Sequence, residues 1–164
     1  MFPPDIQDLA RQIIRRYTEQ KHRIVTAESC TGGMIATALT DVPGSSEVFE
    51  RGFITYSDEA KVDLLGVLPD VLETYGAVSA EVADAMAEGA LTYSQADIAV
   101  SVTGIAGPGG ATPGKPVGLV YIGIATRSGS RFHYRSVFRG NRDAVRLQAT
   151  YEALKLLLSA VEKD

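Results

Sequence analysis

Residues 26–33, Thr26-Ala27-Glu28-Ser29-Cys30-Thr31-Gly32-Gly33, put hydroxyls, a thiol and two glycines into one short stretch. An apolar run, Ile24-Val25, precedes it, and an apolar helix-like run with Met34, Ile35, Ala38 and Leu39 follows. The order reads as a strand end, a small turn and a helix start. A helix N-terminus presents unpaired N–H groups and a partial positive charge, which suit a phosphate or an oxyanion. Thr31, Gly32 and Gly33 would let such a ligand approach the backbone, and Ser29 or Cys30 could donate or attack. The plainer alternative is that Ser29 or Thr31 only caps the helix.

A nucleophilic serine needs a base. The two histidines, His22 in Lys21-His22-Arg23 and His133 in Phe132-His133-Tyr134, sit away from this turn at surface or edge positions. Lysine is the standard substitute. Lys61 falls one turn after Ser57, a good N-cap, so the positive helix end disfavours its charged form. Tyr56 ends the preceding strand and would share that mouth. Against this, Lys61 stands near Asp58 and Glu59, and an ordinary solvated lysine fits the same spacing.

Two further stretches could hold an anion. Thr103-Gly104-Ile105-Ala106-Gly107-Pro108-Gly109-Gly110 follows an apolar strand, and ligands of open α/β sheets gather at the carboxyl ends of strands. Its spacing matches neither a P-loop nor a dinucleotide fingerprint. Arg142, in Asn141-Arg142-Asp143 at the start of the last helix, is a reasonable phosphate fork.

The surrounding pattern supplies the elements. Ile6, Leu9, Ile13 and Tyr17 recur at helical spacing. Residues 23–27 and 52–56 read as strands, with a helix over 33–39 after the first. Ser57 opens a helix that Gly66 stops, and Ser79 caps an Ala-rich helix near 81–93. Residues 98–102, 119–126 and 131–138 read as strands, the last two joined as a hairpin at Ser128-Gly129. Asn141 caps a final helix with Leu147, Tyr151, Leu154, Leu158 and Val161 as its buried stripe. The order predicts an α/β fold, a three-layer α/β/α sandwich around a mixed, mostly parallel sheet with one antiparallel strand.

At 164 residues the chain is expected to form one domain over 1–164. Its 45% hydrophobic and 22% charged content are those of a soluble globular protein, and a net charge of −4 without a basic run argues against nucleic acid. No stretch approaches a membrane span, and residues 1–5 lack the features of a signal peptide, so a cytoplasmic location is expected. The single Cys30 permits no internal disulfide, and no Cys/His spacing suggests a metal site.

The motifs TAESCTGG at 26–33, PGSSEVFERGFITYSDEAK at 43–61, GAVS at 76–79, VTGIAGPGG at 102–110, KPVGLVYIG at 115–123 and RGNRDAVRLQA at 139–149 run in order along the chain. Together they resemble the C-terminal domain of the competence/damage-inducible CinA family over nearly its whole length. Larger members carry an additional N-terminal domain, and this chain resembles the stand-alone form. The resemblance implies a mixed five-stranded sheet and hydrolysis of the carboxamide of nicotinamide mononucleotide, giving nicotinic acid mononucleotide and ammonia in pyridine nucleotide salvage. It implies no cofactor, no metal, no membrane or nucleic-acid partner, and a homo-oligomer, dimer or higher. It further implies a Ser–Lys mechanism in which Ser46 attacks, Lys61 is the base and Tyr56 lies nearby. Ser29 would then bind substrate or shape the oxyanion site, and Thr31, Gly32, Gly33, Thr103, Gly104 and Arg142 would bind the nucleotide. A non-catalytic nucleotide-binding regulatory module and a scaffold are the alternatives.

Overall fold

Strand direction places the chemistry in this molecule. The structure, a computed structural model, describes residues 1–163. Its strands are β1 (Ile24–Glu28), β2 (Phe49–Ile54), β3 (Ile98–Gly104), β4 (Leu119–Thr126) and β5 (Arg131–Val137). They form one sheet in the order β2-β1-β3-β4-β5. Pairing is parallel for β1 with β2 and with β3, and antiparallel for β3 with β4 and β4 with β5. Only β4 therefore runs against the other four, as the sequence pattern predicts. The carboxyl ends of β1, β2 and β3 come together along one edge.

The helices are α1 (Pro4–Gln20), α2 (Met34–Thr40), α3 (Asp58–Leu65), α4 (Pro69–Tyr75), α5 (Ala80–Thr92) and α6 (Arg142–Lys163). One face of the sheet, with Ile24, Val100, Val102, Val120, Ile122 and Ile124, packs under α1, α2 and α6. The other, with Val25, Ala27, Ala99 and Ala125, packs under α5 with α3 and α4 outside it. That second face is built of small residues. Ser101 Oγ donates to Ala83 O at 2.6 Å, and a Cβ on Gly123 would lie 2.7 Å from the same carbonyl. An alanine-rich helix thus lies close against the strands.

Local chemistry sets the boundaries. Ser57 Oγ accepts from Ala60 N at 3.0 Å, Ser79 Oγ from Val82 N at 3.2 Å and Asn141 Oδ1 from Ala144 N at 2.9 Å, so all three foreseen caps form. Two details differ from the sequence pattern. Helix α4 was not foreseen, although Pro69 sits in its first turn and Gly76, at φ 78°, ends it. On α6 the fully buried stripe is Val145, Ala149, Ala153, Leu154, Leu157 and Val161, while Leu147, Tyr151 and Leu158 flank it partly buried. The alanines let α6 lie close against α1 and the sheet, which pushes the larger side chains to the margins. Among the described residues no helix is long and apolar enough to cross a membrane.

Candidate active site

Ser29 follows β1 directly, and its amide donates to Val102 O of β3 at 2.9 Å, which fixes the turn to the sheet edge. Tyr56 and Lys61 come from the parallel neighbour β2, through the turn that enters α3. Lys61 is in the first turn of α3 and points inward: it is 1% exposed. Lys61 Nζ lies 3.1 Å from Ser29 Oγ and donates to Thr55 O at 2.8 Å. Burial pushes the lysine below its ordinary pKa of 10.5, while the Asp58 carboxylate and Cys30 oppose that shift. The sequence pattern credited the helix end with this lowering; the structure assigns it to removal of the ammonium from water.

Cys30, beside Ser29, is buried, and burial raises its pKa to about 11. Its thiol is protonated at neutral pH and is a poor nucleophile there. Ser29, Cys30, Asp58 and Lys61 line an open cavity of about 260 Å³ with Tyr56, Ala77 and the 103–110 loop. Thr103 is buried, and its hydroxyl donates to Ala77 O at 2.8 Å, so it shapes the floor rather than presenting a free hydroxyl. Gly104 is needed where it stands, because a Cβ there would come within 2.6 Å of Val120 Cγ2.

Arg142 crosses the mouth. Its Nη1 donates to Gly107 O and its Nη2 to the Tyr56 hydroxyl, both at 2.8 Å. Tyr56 itself is 61% exposed.

Ser46 is elsewhere. It is exposed on a short 3₁₀ turn (Ser45–Glu47) that precedes β2, whereas Lys61 follows β2. Six strand residues between them span about 20 Å. The expected Ser46–Lys61 pairing is therefore not what the fold brings together; Ser29 holds that place.

Thr31, Gly32 and Gly33 also stand outside the cavity. Thr31 is buried and donates to Glu28 Oε1 at 2.7 Å. Gly32 and Gly33 line a different cavity, with Met34 and Leu147. The start of α2 is not open to an anion, because the Glu28 carboxylate already takes the Ile35 and Ala36 amides at 2.9 and 3.0 Å. Among the described residues no group of three or more His, Cys, Asp or Glu side chains is placed to hold a metal ion.

The family model for the CinA C-terminal domain matches residues 6–161. The chain belongs to that family. Among curated relatives it is 54% identical over 158 residues to a putative competence-damage inducible protein of Caldicellulosiruptor bescii, covering 96% of this chain and 38% of that protein. The chain thus spans about two fifths of the length of such relatives. It is 47% identical to the nicotinamide-nucleotide amidohydrolase PncC of Escherichia coli (strain K12), covering 96% of this chain and 95% of that one. Among solved structures it is similar to the competence/damage inducible protein CihA of Agrobacterium tumefaciens, with a TM-score of 0.96, 48% identity and coverage of 99% and 98%.

Two residues of this CinA-family site were not singled out from the sequence. Glu28 is wholly buried and spends its carboxylate on the turn and on α2. Arg146 donates from Nε to Cys30 O at 3.0 Å and from Nη2 to Thr31 O at 3.3 Å. A signal for the first was available: a glutamate closing an otherwise apolar or small strand needs a partner when buried. Arg146 sits one helical turn after Arg142, but only the fold brings it to the turn.

Proposed function

We propose that this chain hydrolyses the carboxamide of nicotinamide mononucleotide, with Ser29 as nucleophile and Lys61 as base. The observation that carries this reading is the buried Ser29–Lys61 contact at 3.1 Å inside an open cavity. The name of the Escherichia coli relative, which matches this chain almost end to end, supports the substrate.

The geometry suits acyl transfer. Lys61 Nζ donates to Thr55 O and lies 3.1 Å from Ser29 Oγ, within reach for its neutral form to take the hydroxyl proton on the lone pair. As Ser29 Oγ attacks the carboxamide carbon, its proton passes to Nζ. Among the described residues the backbone amides of Cys30, Ala106 and Gly107, which border the cavity, are taken by no backbone carbonyl, so they are the candidate oxyanion donors. Lys61 then protonates the leaving nitrogen. Ammonia departs, leaving an ester on Ser29, and a water activated by the same amine releases the nicotinic acid nucleotide. Arg142 at the mouth is the group suited to the phosphate, exchanging its bond to the Tyr56 hydroxyl for one to the substrate.

The test is ammonia release from nicotinamide mononucleotide by the wild-type chain, Ser29→Ala and Ser46→Ala. Loss in the first variant and retention in the second is expected. A folded Ser29→Ala that turns over normally, or wild-type protein that binds the nucleotide without releasing ammonia, refutes the reading.

A further inference from the structure

Helix α6 begins with two arginines one turn apart, on one face. Arg142 holds the 103–110 loop through Gly107 O, and Arg146 holds the 29–31 turn through Cys30 O and Thr31 O. Two walls of the cavity are thereby tied to a single long helix. We infer that Arg146 is a positioning residue: its guanidinium fixes the turn so that Ser29 Oγ stays against Lys61 Nζ. This rests on the reading of Ser29 as the nucleophile.

The turn needs such a tie. Among the described residues the Cys30 carbonyl receives no backbone amide, and Arg146 Nε is its donor. Gly32 and Gly33 follow at φ 58° and 100°, a backbone with no side chains to wedge it in place. Packing restrains the buried Cys30 side chain, but the glycine side of the turn is open. Behind the turn lies a cavity of about 370 Å³, bordered by Gly32, Gly33, Met34 and Arg146 itself. Glu28 anchors the far end through Thr31 and the start of α2, the Ser29 amide holds the near end to Val102 O, and the guanidinium holds the Cys30 and Thr31 carbonyls between them. A planar fork reaches two carbonyls at once; a lysine ammonium lacks that shape. Displacing a reacting group by about 1 Å costs about 10²-fold in rate.

The experiment uses the full chain with Arg146→Met and Arg146→Lys. Two rates are read: phosphonylation of Ser29 by a fluorophosphonate, in which the Oγ–P bond forms and fluoride leaves, and turnover of nicotinamide mononucleotide. Intact mass follows the first, which does not depend on the substrate assignment. Arg146→Met is expected to be slower by about 10²-fold in both, with KM within a few-fold of wild type. Arg146→Lys should fall between, and millimolar ethylguanidine, entering through the cavity behind the turn, should restore part of the Arg146→Met rate without affecting wild type. If Arg146→Met does not fold, Arg146→Lys with about tenfold slower labelling carries the same test. Wild-type rates in either folded variant overturn the inference, as does a raised KM with kcat kept, which makes Arg146 a ligand contact. Labelling that persists in Ser29→Ala marks failure of the Ser29 reading itself.

Discussion

Lys61 Nζ stands between two oxygens, Ser29 Oγ at 3.1 Å and Thr55 O at 2.8 Å, at the end of a side chain that is 1% exposed. Burial takes the amine out of water and lowers its pKa from the ordinary 10.5, the direction that the proposed general base requires.

Lys61→Ala should lower kcat by about 10²–10⁴-fold in a folded protein. In the wild type, kcat/KM should rise with pH and level off at a pKa below 10.5, because burial disfavours the ammonium. Asp58 favours the ammonium, so Asp58→Asn should move that limb to lower pH. A limb at or above 10.5, or a shift to higher pH in Asp58→Asn, contradicts this account.

Cys30 should be a bystander to the chemistry. With its pKa raised to about 11, the thiol is protonated through the neutral range. Iodoacetamide at neutral pH should leave native protein active and unlabelled and should react once the chain is denatured. Cys30→Ala should keep kcat within a few-fold. Rapid inactivation by the alkylating agent, with Cys30 as the labelled residue by mass, would show a reactive thiolate.

The nucleotide's phosphate should matter through Arg142. A charge-assisted hydrogen bond contributes about 1.5–3 kcal/mol, equivalent to roughly 10–150-fold. The unphosphorylated riboside should be a poor substrate, and Arg142→Ala should lose kcat/KM for the mononucleotide by that order while barely changing the rate on the riboside. Equal losses on both substrates would mean that Arg142 acts only by holding Gly107 and Tyr56.

Gly89→Ala tests how α3 is seated. A Cβ at Gly89 in α5 would overlap the Leu65 carbonyl at the end of α3, the helix that carries Lys61. Overpacking of this kind costs about 1–3 kcal/mol, which outweighs the helix-propensity gain of up to about 1 kcal/mol. Calorimetry should show a lower Tm, and turnover should fall with it. An unchanged Tm would show that the α3–α5 crossing yields freely.

Much of the scaffold was legible because it is written in local chemistry. Serine and asparagine caps announce α3, α5 and α6, and an apolar strand before a glycine-bearing turn announces β1 and α2. Helix α4 is hidden because seven residues with one buried side chain, Leu72, are too short to show a helical period. The choice between Ser29 and Ser46 was open to a simple argument from direction. Lys61 follows β2 and Ser46 precedes it, so one strand length separates them, whereas parallel pairing puts the ends of β1 and β2 side by side.

What the sequence by itself determined is the alternation of elements and the stock of reactive residues, since caps, turns and apolar periodicity act over a few residues. What only the tertiary structure decided is their state and company. Lys61 is a base candidate because the fold takes it out of water. Glu28 is spent on α2, so that helix start is closed to phosphate. Arg146, more than a hundred residues after Ser29, reaches the turn because α6 packs across the same sheet face. Desolvation and long-range hydrogen bonds depend on what surrounds a group in space, and local spacing carries no record of that.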